Sequence, residues 1–232
     1  MRRSARQVLK GRLLDPKAPK SGRWLESDIK DYLTATWKRA DTLLPEADLD
    51  VLPSIGNRQM VFLALLTTAS YRALLDRGVA RDYARLLCAD MGWKIYSWML
   101  QTASLPFQLI LRNPARRLEN ILRTLMIFPF NAPGKPGYEV SVWSEGDDTY
   151  TYWTHCPPQT FVRQLVTSQG DHGELEAFYE SWCQYDWPGA DLIARDGRRG
   201  HYTRTQTLSQ GDPVCDMCWR GCVPTDGNRP GK

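Results

Sequence analysis

Residues 138–156, which read YEVSVWSEGDDTYTYWTHC, are where the hydrophobic pattern of the chain changes its period. Apolar and polar residues alternate over 138–142, and the alternation resumes over 149–156. A period of two is typical of a β-strand that buries one face. Between the two runs, Glu145-Gly146-Asp147-Asp148 has the composition of a tight turn. The stretch therefore predicts an antiparallel β-hairpin.

Upstream of the hairpin, residues 26–130 have a period near 3.6 instead, which predicts a helical region. Asn113-Pro114 is typical of a helix start, since Asn is a favoured N-cap and Pro fits the first turn. Gly78 stands where a helix C-cap is expected, and Pro129 ends the last apolar stripe. The apolar positions at helical spacing include Met60, Leu63, Leu66 and Leu74.

Downstream, Pro157-Pro158 opens a predicted helix, another follows Gly173, and a final β section is predicted over residues 201–219. The chain of 232 residues is long enough to bury a core without disulfides. We predict an α+β fold in which an N-terminal helical half packs on a C-terminal antiparallel sheet with helices. Residues 131–222 would form one integrated domain with the helical region.

The two termini are predicted to be flexible, residues 1–25 as a basic lead and 223–232 as a tail. Residues 1–24 carry eight basic side chains against Asp15 alone. Such a lead suits anionic partners, but no aromatic residue precedes Trp24, so no nucleic-acid partner is expected. Peripheral membrane contact stays an alternative for the lead.

The apolar run at Trp93–Leu111 contains Lys94 and Pro106, which makes it a poor membrane span. We expect a buried helix there, with a helix on a membrane surface as the alternative. No secretory signal is visible, because charged residues interrupt the N-terminal apolar stretch. Six cysteines without such a signal indicate reduced thiols in a cytoplasmic protein.

The segment Glu174–Trp187 is predicted to be one helix with a distinct apolar face. Cys183 and Asp186 fall on that face, one turn apart. A carboxylate there must be paired, hydrogen-bonded or neutralised. Asp186 is therefore either an acid/base or ligand residue with a raised pKa, or a helix-end aspartate that bends out to solvent or pairs with an arginine. The other residues on the face are Leu175, Phe178, Tyr179 and Trp182.

Side chains alternate between the two faces of a strand, and this alternation separates the remaining candidate site residues. His155 and Cys156 are neighbours at a strand end and point to opposite faces, which argues against a catalytic dyad. In a regular strand Arg204 would share a face with Leu208, opposite Thr207. If Arg204 faces inward, it needs an acidic partner such as Asp186, or a substrate carboxylate.

Cys215, Cys218 and Cys222 form a C-x₂-C-x₃-C pattern. Close thiolates of this kind can hold zinc, which is our first candidate, or an iron–sulfur cluster, which is our second. Because only three ligands are local, Cys156, Cys183 or a histidine would have to complete the set. A metal site built from these five cysteines is therefore one possibility, and unmetallated thiols are the other.

Five short segments in this order resemble the L-2-amino-thiazoline-4-carboxylic acid hydrolase family, and the resemblance is strongest from about residue 138 to 215. They are Thr154-His155-Cys156, Gly173-Glu174-Leu175, Cys183-Gln184-Tyr185-Asp186, Arg204-Thr205-Gln206-Thr207 and Gly211-Asp212-Pro213-Val214-Cys215-Asp216. The resemblance implies hydrolytic opening of a small sulfur- and nitrogen-containing ring that bears a carboxylate. The chain departs from the family where Met217 replaces an aromatic residue, and Cys218 and Cys222 lie outside the pattern.

The leading hypothesis is a hydrolase-like enzyme acting on a small heterocyclic or amino-acid-derived molecule. Cys183 or Cys156 would be the nucleophile, or both would bind, together with Cys215, a metal that activates water. Asp186 would be the general acid/base, and Arg204 with Thr207 the substrate-binding pair. A second hypothesis is a non-catalytic small-molecule sensor with structural zinc. A third is an iron–sulfur or redox protein built on the C-x₂-C-x₃-C cysteines. The sequence leaves the oligomeric state open.

Overall fold

The computed structural model describes residues 1–223, and within them the chain runs from helices to a mixed helix and strand region. The predicted α+β fold is confirmed. The helices and strands are α1 (Arg2–Leu9), α2 (Glu26–Leu43), α3 (Ile55–Asp76), α4 (Arg81–Ile110), α5 (Pro114–Ile127), β1 (Glu139–Glu145), β2 (Asp148–His155), α6 (Pro157–Gln169), α7 (Glu174–Ser181), α8 (Asp186–Ala194), β3 (Tyr202–Thr203) and β4 (Cys215–Trp219). The predicted tail includes residues 224–232, which lie outside the described residues.

The four strands form one antiparallel sheet in the order β1-β2-β4-β3. β1 and β2 form the predicted hairpin, which closes where Glu145 pairs with Asp148. Alternate residues of β2 are buried, beginning with Thr149 and ending with Trp153. Trp153 is paired with Cys215 on β4, so Cys215 lies on the face of the sheet that packs against the helices.

The end of α3 and the start of α5 lie where the sequence predicted them. Asn113 Oδ1 accepts a 2.8 Å hydrogen bond from the backbone amide of Ala115 at the start of α5. Gly78 follows α3 with a φ of 77°, which an L side chain rarely adopts. The amide after it, on Val79, bonds back to the carbonyl of Leu74 and closes the helix.

α3 is the central helix and joins the two halves of the chain. Its Val61 and Leu65 pack with Phe161 and Val162 of α6 in one buried cluster. A second link is polar, because Arg72 Nε donates a 2.7 Å hydrogen bond to the buried carboxylate of Glu174 at the start of α7. The helical half therefore fixes the position of the helices that lead into the candidate site.

The expectation of a flexible basic lead over residues 1–25 is wrong. Residues 2–9 form α1, and Ala5 and Leu9 are completely buried in the same cluster as Trp24. The apolar residues at helical spacing among the arginines give α1 a buried face. Leu13 and Arg23 then pair as an isolated bridge that brings the chain back to α2.

The expectation of a buried helix over Trp93–Leu111 is also wrong in part. The run lies in the second half of α4, where Leu100 and Ser104 are buried but Trp98 and Leu109 are exposed. Leu100 packs in one cluster with residues of α5 and α8. Within residues 1–223, no helix combines the length and the apolar character needed to cross a membrane.

The junction between the helices and the sheet depends on a close contact at Gly56 near the start of α3. A Cβ atom added there would come within 2.5 Å of the carbonyl oxygen of Pro129, which is backbone and has little freedom to move. The neighbouring Asn57 fixes the same segment, since its Nδ2 donates to the carbonyl of Asn131 at 3.2 Å. Only glycine fits at this position.

We therefore predict that Gly56→Ala lowers the free energy of unfolding by about 1–3 kcal/mol, as overpacking of a tight contact does. Gly189→Ala in α8 is the matched control, because its added methyl would come within 3.1 Å of the flexible end of Leu100 and 3.6 Å of the Tyr96 ring but would not meet any backbone atom. Urea denaturation of both variants measures the difference. Equal stability of the two variants would contradict the close contact at Gly56.

Candidate active site

Asp186 and Arg204 form an ion pair between the start of α8 and the loop after β3. Arg204 Nη1 lies 3.6 Å from Asp186 Oδ2, and the two side chains are 2% and 15% exposed. The hydroxyl of Tyr202 donates a 3.2 Å hydrogen bond to the same carboxylate oxygen. Asp186 is the first residue of α8, where the helix dipole favours a negative charge. The predicted pairing of Asp186 with an arginine is thus present.

Two aromatic rings enclose the guanidinium of Arg204. Its Cζ lies 4.8 Å from the ring centre of Trp187 and 5.9 Å from that of Tyr179. Among the described residues, neither Nη1 nor Nη2 has a hydrogen-bond partner, although both are buried. Unsatisfied buried donors are costly. A guanidinium that keeps free donors beside a flat aromatic wall has the chemistry to bind a carboxylate or another planar anion.

The pKa of Asp186 is raised to about 6. Burial is the largest cause, and the charge of Arg204 and the hydrogen bond from Tyr202 offset part of it. The carboxylate is consequently ionised at neutral pH but close enough to its pKa to exchange a proton. This is the range in which a carboxyl group works as a general acid or base.

Three thiols lie near this pair, since the pKa of each responds to the charge of Asp186. Cys183 Sγ lies 2.9 Å from Ser209 Oγ, and Cys215 Sγ lies 3.4 Å from Thr207 Oγ1. Cys156 immediately precedes α6, packed in the same apolar cluster as Cys215. The sequence-predicted residues Cys156, Cys183, Asp186, Arg204, Thr207 and Cys215 therefore lie in one region, at the junction of α6, α7, α8 and β4.

All three thiols are neutral at physiological pH. Burial raises the pKa of Cys183 to about 12, while its hydrogen bond with Ser209 and the charge of Arg204 act in the other direction. Burial also raises the pKa of Cys156, and the nearby Cys215, Cys183 and Asp186 add to that rise. The pKa of Cys215 is raised by burial as well. Any nucleophilic use of these thiols therefore requires a base at the moment of attack.

The site does not include the other two cysteines of the C-x₂-C-x₃-C pattern. Cys218 is paired with Tyr150 in the sheet, and its three-residue spacing from Cys215 in a strand sends the two side chains to opposite faces. Cys222 is exposed beyond the end of β4. The predicted metal set of Cys156, Cys183, Cys215, Cys218 and Cys222 is thus divided. Within residues 1–223, no three side chains of His, Cys, Asp or Glu are grouped to hold a metal ion.

The prediction of one continuous helix over Glu174–Trp187 is wrong. α7 ends at Ser181, and Trp182 has a φ of −130° that breaks the helix before a 3₁₀ turn at Cys183–Tyr185. The break makes room for Trp182, whose Nε1 donates a 3.2 Å hydrogen bond to Thr67 Oγ1 of α3. Asp186 begins a new helix as a result, which is why its carboxylate lies at a positive helix end.

The final β section is also shorter than predicted. β3 ends at Thr203, because the Asp216 carboxylate accepts from the amides of Thr205 and Gln206 and holds them in a loop. Arg204 therefore leaves the strand geometry that would have set it opposite Thr207. Both residues reach the site, and Thr207 contacts the thiol of Cys215 there.

His155 has a structural role, as the parity of the strand predicts. Its Nδ1 lies 2.5 Å from the carbonyl oxygen of Gly137 and its Nε2 lies 3.0 Å from Thr160 Oγ1. The ring is thereby occupied on both sides. It joins the end of β2 to the first turn of α6 and is not a partner for Cys156.

Four residues of the site had no role assigned to them from the sequence. Tyr179 and Trp187 flank the guanidinium, Tyr202 bonds the carboxylate, and Ser209 contacts Cys183. The first three stand within two residues of Asp186 or Arg204, or on the predicted helix face, which is the signal that could have found them. Ser209 lies in a short 3₁₀ turn at Leu208–Gln210 and gives no such signal.

In comparisons with known proteins, no family model, curated protein or solved structure matches the chain. The resemblance to the thiazoline carboxylate hydrolase family accordingly stays a prediction from sequence.

We predict that the side-chain carboxyl ¹³C resonance of Asp186 titrates with a midpoint of about 6 in NMR spectra. In Arg204→Gln the midpoint should rise further, because a charge that favours the ionised carboxylate is removed. Ionisation in the unfolded chain occurs near pH 4. The folded protein therefore binds more protons between about pH 4 and 6, and Asp186 lowers stability as the pH rises through that window. A midpoint near 4 in both proteins would contradict the burial of this carboxyl group.

Proposed function

We propose that this protein is a hydrolase-like enzyme that opens a C–N or C–S bond in a small heterocyclic or amino-acid-derived substrate carrying an anionic group. The observation that carries the proposal is the Asp186–Arg204 pair, with the free donors of Arg204 beside a carboxyl group of raised pKa. The free donors supply a binding site for the anionic group. The carboxyl supplies a proton acceptor and donor near neutral pH.

Cys183 is the thiol best placed to be the nucleophile. Cys183 and Cys156 are partly exposed, whereas Cys215 is buried. Of the two partly exposed thiols, Cys183 is the one at which the charge of Arg204 offsets part of the rise in pKa caused by burial. As Sγ bonds to the ring carbon, its proton would pass to the Asp186 carboxylate. The same group would return the proton to the leaving nitrogen or sulfur when the ring opens. Water would then hydrolyse the covalent intermediate and release Cys183 as a thiol. Thr207 would help to position the site through the contact between its hydroxyl and the thiol of Cys215.

A second function, binding without turnover, is favoured by one observation. The pKa of each site thiol is raised, so each is held as the less reactive form in the absence of a base. A sensor would need only Arg204 and the aromatic walls. A structural zinc or an iron–sulfur cluster finds no support in the donor set, because strand parity divides the cysteines.

The proposed compartment is the cytoplasm. All six cysteines lie within residues 1–223 and none of them is in a disulfide. Free thiols at a working site suit a reducing environment.

The proposal predicts turnover of thiazoline carboxylates or related cyclic amidines that carry a carboxylate, measured as the appearance of product thiol or amine. Asp186→Asn should lower kcat by about 10²–10⁴-fold, the usual contribution of a general acid/base, and Cys183→Ser should abolish the covalent intermediate. Because Asp186 acts first as a base, kcat/KM should rise with pH through about 6 and then level off. Trapping of the intermediate and mass spectrometry identify the thiol.

Cys218→Ser and Cys222→Ser are the matched controls, since both thiols lie away from the pair and should leave turnover unchanged. Full activity in both Cys183→Ser and Asp186→Asn would contradict the proposed roles. Tight binding of a carboxylate ligand that is lost in Arg204→Gln, without turnover of any substrate in the panel, would instead support the binding function.

A further inference from the structure

The second half of α4 presents an apolar stripe to solvent. Trp98, Leu105 and Leu109 recur at i, i+7 and i+11, which places them on one side of the helix. Trp98 is 66% exposed and Leu109 is 78% exposed, and the helix ends on Ile110 at 77%. Single exposed apolar residues are ordinary, but four on one helix segment form a patch that marks an interaction surface.

The stripe borders a groove of about 1030 Å³ between α4 and α8. Its apolar walls come from Trp98 and Leu105 on one side and from Trp187, Pro188 and Leu192 on the other. Trp187 is the ring that also covers the guanidinium of Arg204. The groove therefore lies directly outside the candidate site.

The rim of the groove is basic. Arg195, Arg198 and Arg199 line it. Among the described lining residues Asp191 is the one acid, and its Oδ1 already accepts from the amides of Gly200 and His201 at 2.9 and 3.0 Å. Asp196, beside the rim, lies 4.0 Å from Arg198 Nε, so three arginines face two carboxylates and the rim keeps a net positive charge. The surface thus combines exposed Trp, Leu and Ile side chains with a cluster of arginines. Helices that lie in the interface of anionic membranes have this combination, because apolar side chains enter the acyl boundary while arginines meet the headgroups.

We infer that the α4 stripe and the arginine rim dock this protein on the surface of an anionic membrane. The contact is peripheral, since no helix among residues 1–223 can span a bilayer. A second copy of the chain is a poorer occupant. In a two-fold interface the same patch meets itself, and Arg198 and Arg199 would then face the same basic rim. The inference is independent of the chemistry proposed for the Asp186–Arg204 site.

The test is co-sedimentation of the full chain with vesicles of phosphatidylcholine mixed with phosphatidylserine, compared with vesicles of phosphatidylcholine alone. We expect binding to the mixed vesicles that weakens with added salt. Leu109→Ser combined with Ile110→Ser should lower the partition coefficient by roughly tenfold or more, given the apolar area involved. Arg198→Glu combined with Arg199→Glu should lower it by at least about 25-fold.

Two controls separate this surface from others. Ile55→Ser removes an isoleucine that is 76% exposed at the start of α3 and should leave binding unchanged. Arg2→Glu combined with Arg3→Glu reverses the same charge on α1 and should reduce binding less than the change at Arg198 and Arg199. Circular dichroism spectra confirm that each variant is folded.

Three results would overturn the inference. One is the absence of binding to mixed vesicles, and another is binding that depends on Arg2 and Arg3 but not on Arg198 and Arg199. The third is a dimer in sedimentation velocity that the Leu109→Ser and Ile110→Ser changes convert to a monomer without altering vesicle binding.

Discussion

The burial of the Arg204 guanidinium is the constraint on which the arrangement around it depends. An arginine cannot lose its charge in a protein, so a buried one must be compensated. Asp186 supplies a counter-charge at 3.6 Å, and the faces of Trp187 and Tyr179 supply the quadrupoles that attract a cation. Because neither terminal nitrogen is hydrogen-bonded within the described chain, the compensation is partial. A ligand could accept hydrogen bonds from the two terminal nitrogens of Arg204.

The sheet and α8 hold this arrangement together through aromatic contacts. Tyr202 lies between Trp187 and Trp219, with ring centres 4.7 and 4.8 Å away in edge-to-face geometry. Its hydroxyl reaches Asp186 at the same time. Such contacts favour a fixed ring geometry. A change in the sheet edge at Tyr202 would therefore displace both members of the ion pair, which links the stability of the fold to the chemistry of the site.

The sequence was informative where one physical rule dominates. The change of period at residue 138 located the hairpin, and an acidic residue on an apolar helix face indicated that Asp186 needs a partner such as Arg204. The sequence misled where tertiary contacts override local pattern. Nothing local shows that Trp182 leaves the helix to bond Thr67. In α1 the helical spacing of Ala5, Val8 and Leu9 was a local signal, but the many basic residues around it favoured the interpretation as a flexible lead.

The sequence contained one further signal that bears on the predicted metal site. Strand parity already separates Cys215 from Cys218, so the division of the proposed metal set was available from their spacing. The exposure of the second half of α4 could not be predicted from the sequence, because an apolar run has the same composition whether it is covered by protein or faces solvent. The contact between Ser209 and Cys183 depends on a turn between strands, and such turns take their position from the elements around them.

The most direct test of the central claim is a double-mutant cycle on Asp186 and Arg204, measured as free energies of unfolding at pH 7. Asp186→Leu leaves a buried cation without its counter-charge, and Arg204→Met leaves a buried carboxylate without its cation. If the pair is the organising interaction, the double variant should lose less stability than the two single variants together, with a coupling of at least about 1 kcal/mol. Additive effects, equal within about 0.3–0.5 kcal/mol, would mean that the two residues do not act as a pair and would contradict the proposed site.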